Sequence, residues 1–247
     1  MQHVRVTDDG ARIGFVELPG KEPTRVFIHG LGSSSLPYFT HIAAAPALIE
    51  NRSLLVDLLG FGISDRPRTF GYTLPEQADG VARLLDSLNI SAADVVAHSM
   101  GGAVAVTLAS KRPDLVGRLV VAEPNLRPTD RPRIEGYSEE EFIQRGFQEA
   151  LATTGEVWPV TMRLADPVAM YRSEDALGKN MVDNLGEVFL SLRVPRLMIR
   201  GAKTPSIHCE DEIRAAEIPL VSIANAGHNM MLDNAPAFTA ALAAFLA

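Results

Sequence analysis

One stretch of the chain sets a serine between an apolar run and a group of very small residues: Val95-Val96-Ala97-His98-Ser99-Met100-Gly101-Gly102-Ala103. A strand that turns sharply into a helix at Ser99 would present the hydroxyl as a nucleophile. The turn is so tight that the residues two positions away must carry little or no side chain. This is the G-x-S-x-G elbow pattern, with Ala97 at the first glycine position. The helix start would also aim backbone N–H groups, and the positive end of the helix dipole, at developing negative charge. The plain alternative is a serine that only caps a helix.

Two further stretches complete a nucleophile-and-base set. His29-Gly30-Leu31-Gly32 directly follows the apolar run Val26-Phe27-Ile28. A glycine-rich turn there can bring one backbone N–H beside the nucleophile. Leu31 N–H and Met100 N–H are therefore the expected oxyanion donors, with Gly30 at the substrate and His29 bracing the turn. Ala226-Gly227-His228-Asn229-Met230-Met231 carries a histidine on a loop behind the last apolar run. Of the 6 histidines in the chain, His228 alone has both the position and the flanking pattern of a general base. His98 is expected to face away from the strand–turn junction.

The elements that must position these residues are legible as alternation. Short β-branched runs occur at 25–29, 53–57, 94–98, 118–123, 196–200 and 220–223. Several are continuously apolar, as in parallel strands covered on both faces. Between them, 75–88, 99–111, 210–216 and 235–246 read as helices, the first with proline near its start. This alternation predicts an α/β fold with a doubly wound, mostly parallel sheet and helices on both faces. Residues 4–18 suit an antiparallel edge hairpin. Residues 124–193 break the pattern and are too long for one loop. They predict an inserted helical cap, leaving 1–123 and 194–247 as the core domain.

Bulk properties narrow the function classes. The chain has 247 residues, 47% hydrophobic and 21% charged, an ordinary globular balance. Its net charge of -7 repels phosphate backbones and argues against a nucleic-acid partner. The single cysteine, Cys209, rules out an internal disulfide. No apolar run approaches the roughly 18 residues of a membrane span, and the first residues lack a signal-like apolar core, so a cytoplasmic location is expected. No metal cluster or nucleotide loop is evident, so no cofactor is expected. Composition leaves the oligomeric state open.

Taken together, His29-Gly30-Leu31-Gly32, the run from Val56 to Asp65, Ala97-His98-Ser99-Met100-Gly101-Gly102 and Gly227-His228 make the chain resemble the α/β-hydrolase superfamily over almost its whole length. Within it, the chain looks like the small capped esterases and lipases of the monoacylglycerol-lipase-like group. The resemblance implies an eight-stranded sheet and a Ser–His–acid triad in which the nucleophile precedes the base along the chain. It implies a structural role for Asp57, in holding its turn.

The resemblance also exposes a departure. Relatives usually carry the triad acid after the seventh strand, in a run like G-x-x-D-x-P. Here that run is Gly201-Ala202-Lys203-Thr204-Pro205, and threonine cannot balance an imidazolium. Some members place the acid after the sixth strand instead, which points to Glu123. Pairing with Arg127 is the alternative use of that carboxylate. Glu210 and Asp211 are the fallback acids, and Asp233 is expected to begin the last helix.

These parts predict hydrolysis of a carboxylic ester of a small or medium, largely apolar substrate through an acyl-enzyme. Ser99, His228 and Glu123 are the expected catalytic residues. Phe142, Phe147, Trp158, Met162, Met170, Tyr171, Met181 and Phe189 could line an apolar pocket, with Trp158 and Phe142 the foremost substrate contacts, although packing the cap against the body is the plainer use of each. A slow-turnover ligand sensor acting through a protein partner, a carbon–carbon bond hydrolase and a haloperoxidase-like enzyme are the rival functions, and an inactive relative is a further one.

Overall fold

The structure, a computed structural model, describes residues 1–131, 133–155, 158–178, 181 and 184–247. Eight strands form one sheet: β1 (Gln2–Arg5), β2 (Arg12–Leu18), β3 (Lys21–Ile28), β4 (Asn51–Val56), β5 (Ala93–His98), β6 (Val116–Ala122), β7 (Arg196–Gly201) and β8 (Leu220–Ile223). Their order across the sheet is β1-β2-β4-β3-β5-β6-β7-β8. The first two strands form the antiparallel edge hairpin, and β2 joins β4 antiparallel. Every later pairing, from β3–β4 through β7–β8, is parallel.

Both faces of the parallel strands are buried, because alternate residues enter two separate cores. Phe27, Leu55, Val96, Val120 and Ile199 pack under helix α1 (Ser35–Ala43) and the last helix, Ala235–Phe245. Their neighbours Ile28, Val56, Val95, Ala97 and Val121 pack under α2 (Leu74–Ser87) and α3 (Met100–Lys111). This explains the continuously apolar runs: a residue on either face meets a helix. A capping box starts α2, with Thr73 accepting from Glu76 N and Glu76 accepting from Thr73 N. Helix α1, which follows β3 and its glycine-rich turn, is not among the helices that the sequence pattern predicts. It is placed by Asp57, whose Oδ1 accepts from Ser35 N at 2.7 Å while Oδ2 accepts from Ile63 N at 2.9 Å.

Between β6 and β7 the described chain is helical. Glu139–Glu141 leads through a π-helical turn into Phe147–Thr153, and Trp158–Met162, Pro167–Leu177 and Leu185–Ser191 follow. Phe142, Met162, Met170 and Phe189 join this insertion to the core on the α2–α3 side. Among the described residues, no helix is long and apolar enough to cross a membrane.

Candidate active site

The site lies at the carboxyl ends of β3, β5 and β6. At the end of β5, Ser99 adopts φ 53° and ψ -121°, a left-handed conformation that an L-residue holds only under constraint. The constraint comes from both sides. Ser99 N donates to Ala122 O on β6 at 2.9 Å, and Ser99 O accepts from Gly102 N at 2.9 Å as α3 begins. The turn fits because Gly101 lacks a side chain: a Cβ there would stand 2.3 Å from His29 O. At Gly30 a Cβ would stand 3.0 Å from the Ser99 Cβ, so the two turns approach closely.

One strand over, Glu123 follows β6 and also takes positive φ, 45°. Its Oε2 lies 2.7 Å from His228 Nδ1, and its Oε1 accepts from Gly201 N at 2.8 Å. Burial pushes this carboxyl up, but hydrogen bonds from His228, Gly201 N–H and the Thr204 side chain outweigh it and hold it below the ordinary glutamate value. Thr204, at the customary position of the acid, thus supports the glutamate. Arg127 pairs with Glu212 and not with Glu123. Glu210 is engaged by Arg200 at 2.6 Å and by Arg214 at 2.8 Å. Asp233 does not begin the last helix. It ends the short helix Met230–Asp233 and accepts from Gly227 N at 2.8 Å, bracing the turn before His228, while Asn234 caps Ala235–Phe245.

Ser99, His228, Gly30 and Leu31 line one cavity of about 570 Å³. Asn125, which the sequence did not single out, lines it too and accepts a long hydrogen bond from Ser99 Oγ at 3.4 Å. The Met100 side chain is buried in the core, so only its backbone N–H, at the start of α3 and without an intrahelical acceptor, is available. His29 braces its turn, with Nε2 accepting from Leu58 N at 3.0 Å and Nδ1 beside Gly30 O at 2.7 Å.

Three further sequence expectations are corrected. His98 does not face away: its ring centroid lies 4.5 Å from that of His228, and its Nε2 is 2.8 Å from His228 O. Burial first, and the neighbouring His228 second, push His98 well below the ordinary histidine value, so it is neutral at pH 7. Phe142 does not reach the cavity. It is fully buried among Tyr137, Phe147 and Tyr171 with ring centroids 5.7 to 6.2 Å away, because an aromatic cluster hides more area than a wall position would. Of the aromatic and methionine residues expected in the pocket, Trp158 alone lines this cavity among the described residues; Met162, Met170 and Phe189 are packing.

The family model described as the alpha/beta hydrolase fold matches residues 24–181. The chain belongs to the alpha/beta hydrolase family. The protein LipZ of Mycobacterium tuberculosis is 41% identical to it over 101 residues, which is 41% of this chain and 33% of LipZ. A 2-hydroxymuconate semialdehyde hydrolase of Pseudomonas sp. (strain CF600) is 36% identical over 97 residues, 39% of this chain and 34% of that enzyme. These matches span about a third of the length of the curated relatives. A solved thermophilic esterase from Thermogutta terrifontis superimposes with a TM-score of 0.79 at 21% identity, covering 100% of this chain and 98% of that one. At that identity the likeness speaks for the fold.

Proposed function

We propose that this protein is a serine hydrolase cleaving a carboxylic ester, with residues 124–193 acting as a cap over the site. The observation that carries the reading is the 2.7 Å contact between Glu123 Oε2 and His228 Nδ1, beside a cavity that holds Ser99 on its strained turn. With Nδ1 engaged by the carboxylate, the other ring nitrogen is left to exchange protons in the cavity.

Ser99 Oγ attacks the ester carbon as His228 takes the hydroxyl proton. The carbonyl electron pair moves onto oxygen, held by Leu31 N–H and Met100 N–H. The tetrahedral intermediate collapses, the carbon–oxygen bond to the alcohol breaks, and His228 returns the proton to the leaving oxygen. Water, deprotonated by His228, then attacks the acyl-Ser99 ester. The acid leaves and Ser99 regains its proton. Glu123 fixes the ring orientation and stabilises its cationic form.

Labelling with a fluorophosphonate followed by peptide mapping tests the reading. The adduct is expected on Ser99, and Ser99→Ala should lower ester hydrolysis by about three orders of magnitude or more with the fold intact. Labelling at another serine, or sustained turnover by the alanine variant, would overturn it. The partial match to a 2-hydroxymuconate semialdehyde hydrolase favours carbon–carbon bond hydrolysis as a second reading, since the same nucleophile and oxyanion donors can serve it.

A further inference from the structure

Two guanidinium groups from the insertion, Arg131 and Arg133, line the cavity that holds Ser99 and His228. No aspartate or glutamate lines it among the described residues, although the chain carries a net charge of -7. The cavity is thus a cationic place in an acidic protein.

Neither arginine is saturated. Among the described residues the Arg131 terminal nitrogens reach only backbone oxygens, Asp130 O at 3.3 Å and Leu177 O at 3.4 Å, both longer than a good N–H···O bond. Its Nε is buried with no hydrogen-bond partner. Arg133 spends Nε on Glu174 and lays its guanidinium over the Trp158 ring, 4.6 Å from the centroid. Its terminal nitrogens have no acceptor among the described residues. Glu174, the buried counter-charge, is fully enclosed behind the arginines and is not part of the cavity wall. Asp130 is exposed and lies outside the Ser99 cavity wall. On its other side Arg131 borders a second cavity lined by Asp130, Glu135, Glu174 and Asp175, whereas on the Ser99 side the two guanidinium groups meet no carboxylate among the described residues.

We propose that Arg131 and Arg133 form an anion subsite and that the substrate carries a carboxylate. This rests on the reading that the Ser99 cavity is the active site. A guanidinium offers paired, coplanar donors that match a carboxylate. Burial works against the charge of Arg131, and an anion on its open donors relieves that cost. The substrate class is then a short ester whose acyl or alcohol part ends in a carboxylate.

Binding and turnover test it separately. Trp158 is the only tryptophan and lines the same cavity, so its fluorescence reports occupancy. In Ser99→Ala protein, glutarate should give a saturable change, and dimethyl glutarate should not. Adding Arg131→Gln or Arg133→Gln should weaken glutarate by about tenfold, the loss of one charge-assisted contact. In protein with Ser99 intact, mono-4-nitrophenyl glutarate should exceed 4-nitrophenyl pentanoate in kcat/KM by about tenfold. That ratio should fall towards one in Arg131→Gln and be partly kept in Arg131→Lys. Glutarate binding that depends on the arginines, with neither ester cleaved, would sustain the subsite and sink the hydrolase reading. Turnover of both esters at a ratio of one or less, with no glutarate response, would sink the subsite and leave the hydrolase reading standing. Since the ratio is measured first in the unaltered protein, a variant that fails to fold does not shelter the proposal.

Discussion

Trp158 donates its indole N–H to the Leu31 carbonyl oxygen at 2.9 Å. Three residues on, Thr161 Oγ donates to Gly32 O at 3.1 Å. The helix Trp158–Met162 of the insertion therefore clasps the glycine-rich turn after β3, the turn that carries one of the two proposed oxyanion donors. That helix and the turn after β3 are joined by both hydrogen bonds.

A loss of that clasp should appear in catalysis more than in binding. Trp158→Phe keeps an aromatic wall and removes the donor. A hydrogen bond of this kind contributes about 1 kcal/mol, so kcat should fall by about three- to tenfold with a smaller change in KM. Steady-state kinetics on a short 4-nitrophenyl ester checks it. A change confined to KM would make Trp158 a wall and nothing more.

Removing the charge of Glu123 should slow the reaction. Glu123→Gln keeps the side-chain shape but removes the charge that meets His228 Nδ1. The rate at pH 8 should fall by about tenfold or more, yet by less than in Ser99→Ala, because the group acts through the base. Adding Thr204→Asp should recover part of the loss, since the Thr204 side chain already bonds Glu123. A rate at pH 8 within error of that of the unaltered protein would remove Glu123 from the mechanism.

Acid should destabilise the fold through His98. Burial holds the folded residue neutral well below 6.5, whereas the unfolded residue takes up a proton near 6.5. The stability from the neutral ring is complete above that pH and is lost as pH falls below it, by up to about 1.4 kcal/mol per unit for one group. His29, also fully buried, acts in the same direction. Urea unfolding at pH 7.5 and 5.5 should show a drop in stability that is smaller in His98→Gln. Equal drops in the two proteins would mean that His98 is protonated in the folded state.

The elbow should reject even one methyl group. A Cβ at position 101 would stand 2.3 Å from His29 O and 2.7 Å from Ile28 O, both backbone atoms at the end of β3. Gly101→Ala should cost about 1–3 kcal/mol of stability, the range for overpacking. It should also lower activity by parting the two turns. A denaturation midpoint within error of the parent would show that the turn can yield.

Much of the core was legible because its signals are local. An apolar run covered on both faces marks a parallel strand, and six such runs lie within a few residues of observed strands. The small residues flanking Ser99 record a steric demand of the turn itself. Glu123 could be read as a strand-end group because it closes an apolar run, and His228 because it stands on the short loop behind the last one.

The sequence by itself thus determined the alternating fold and which side chains stand at the carboxyl ends of the strands. Only the tertiary structure decided what covers them. That Trp158 bonds Leu31, that Phe142 is hidden, that His98 lies against His228 and that Arg131 and Arg133 face Ser99 all depend on how the insertion lies across the sheet and how distant loops converge. Those placements come from packing between segments up to 130 residues apart, as in the His98–His228 contact. Periodicity and turn chemistry act over only a few residues, so no local pattern records them.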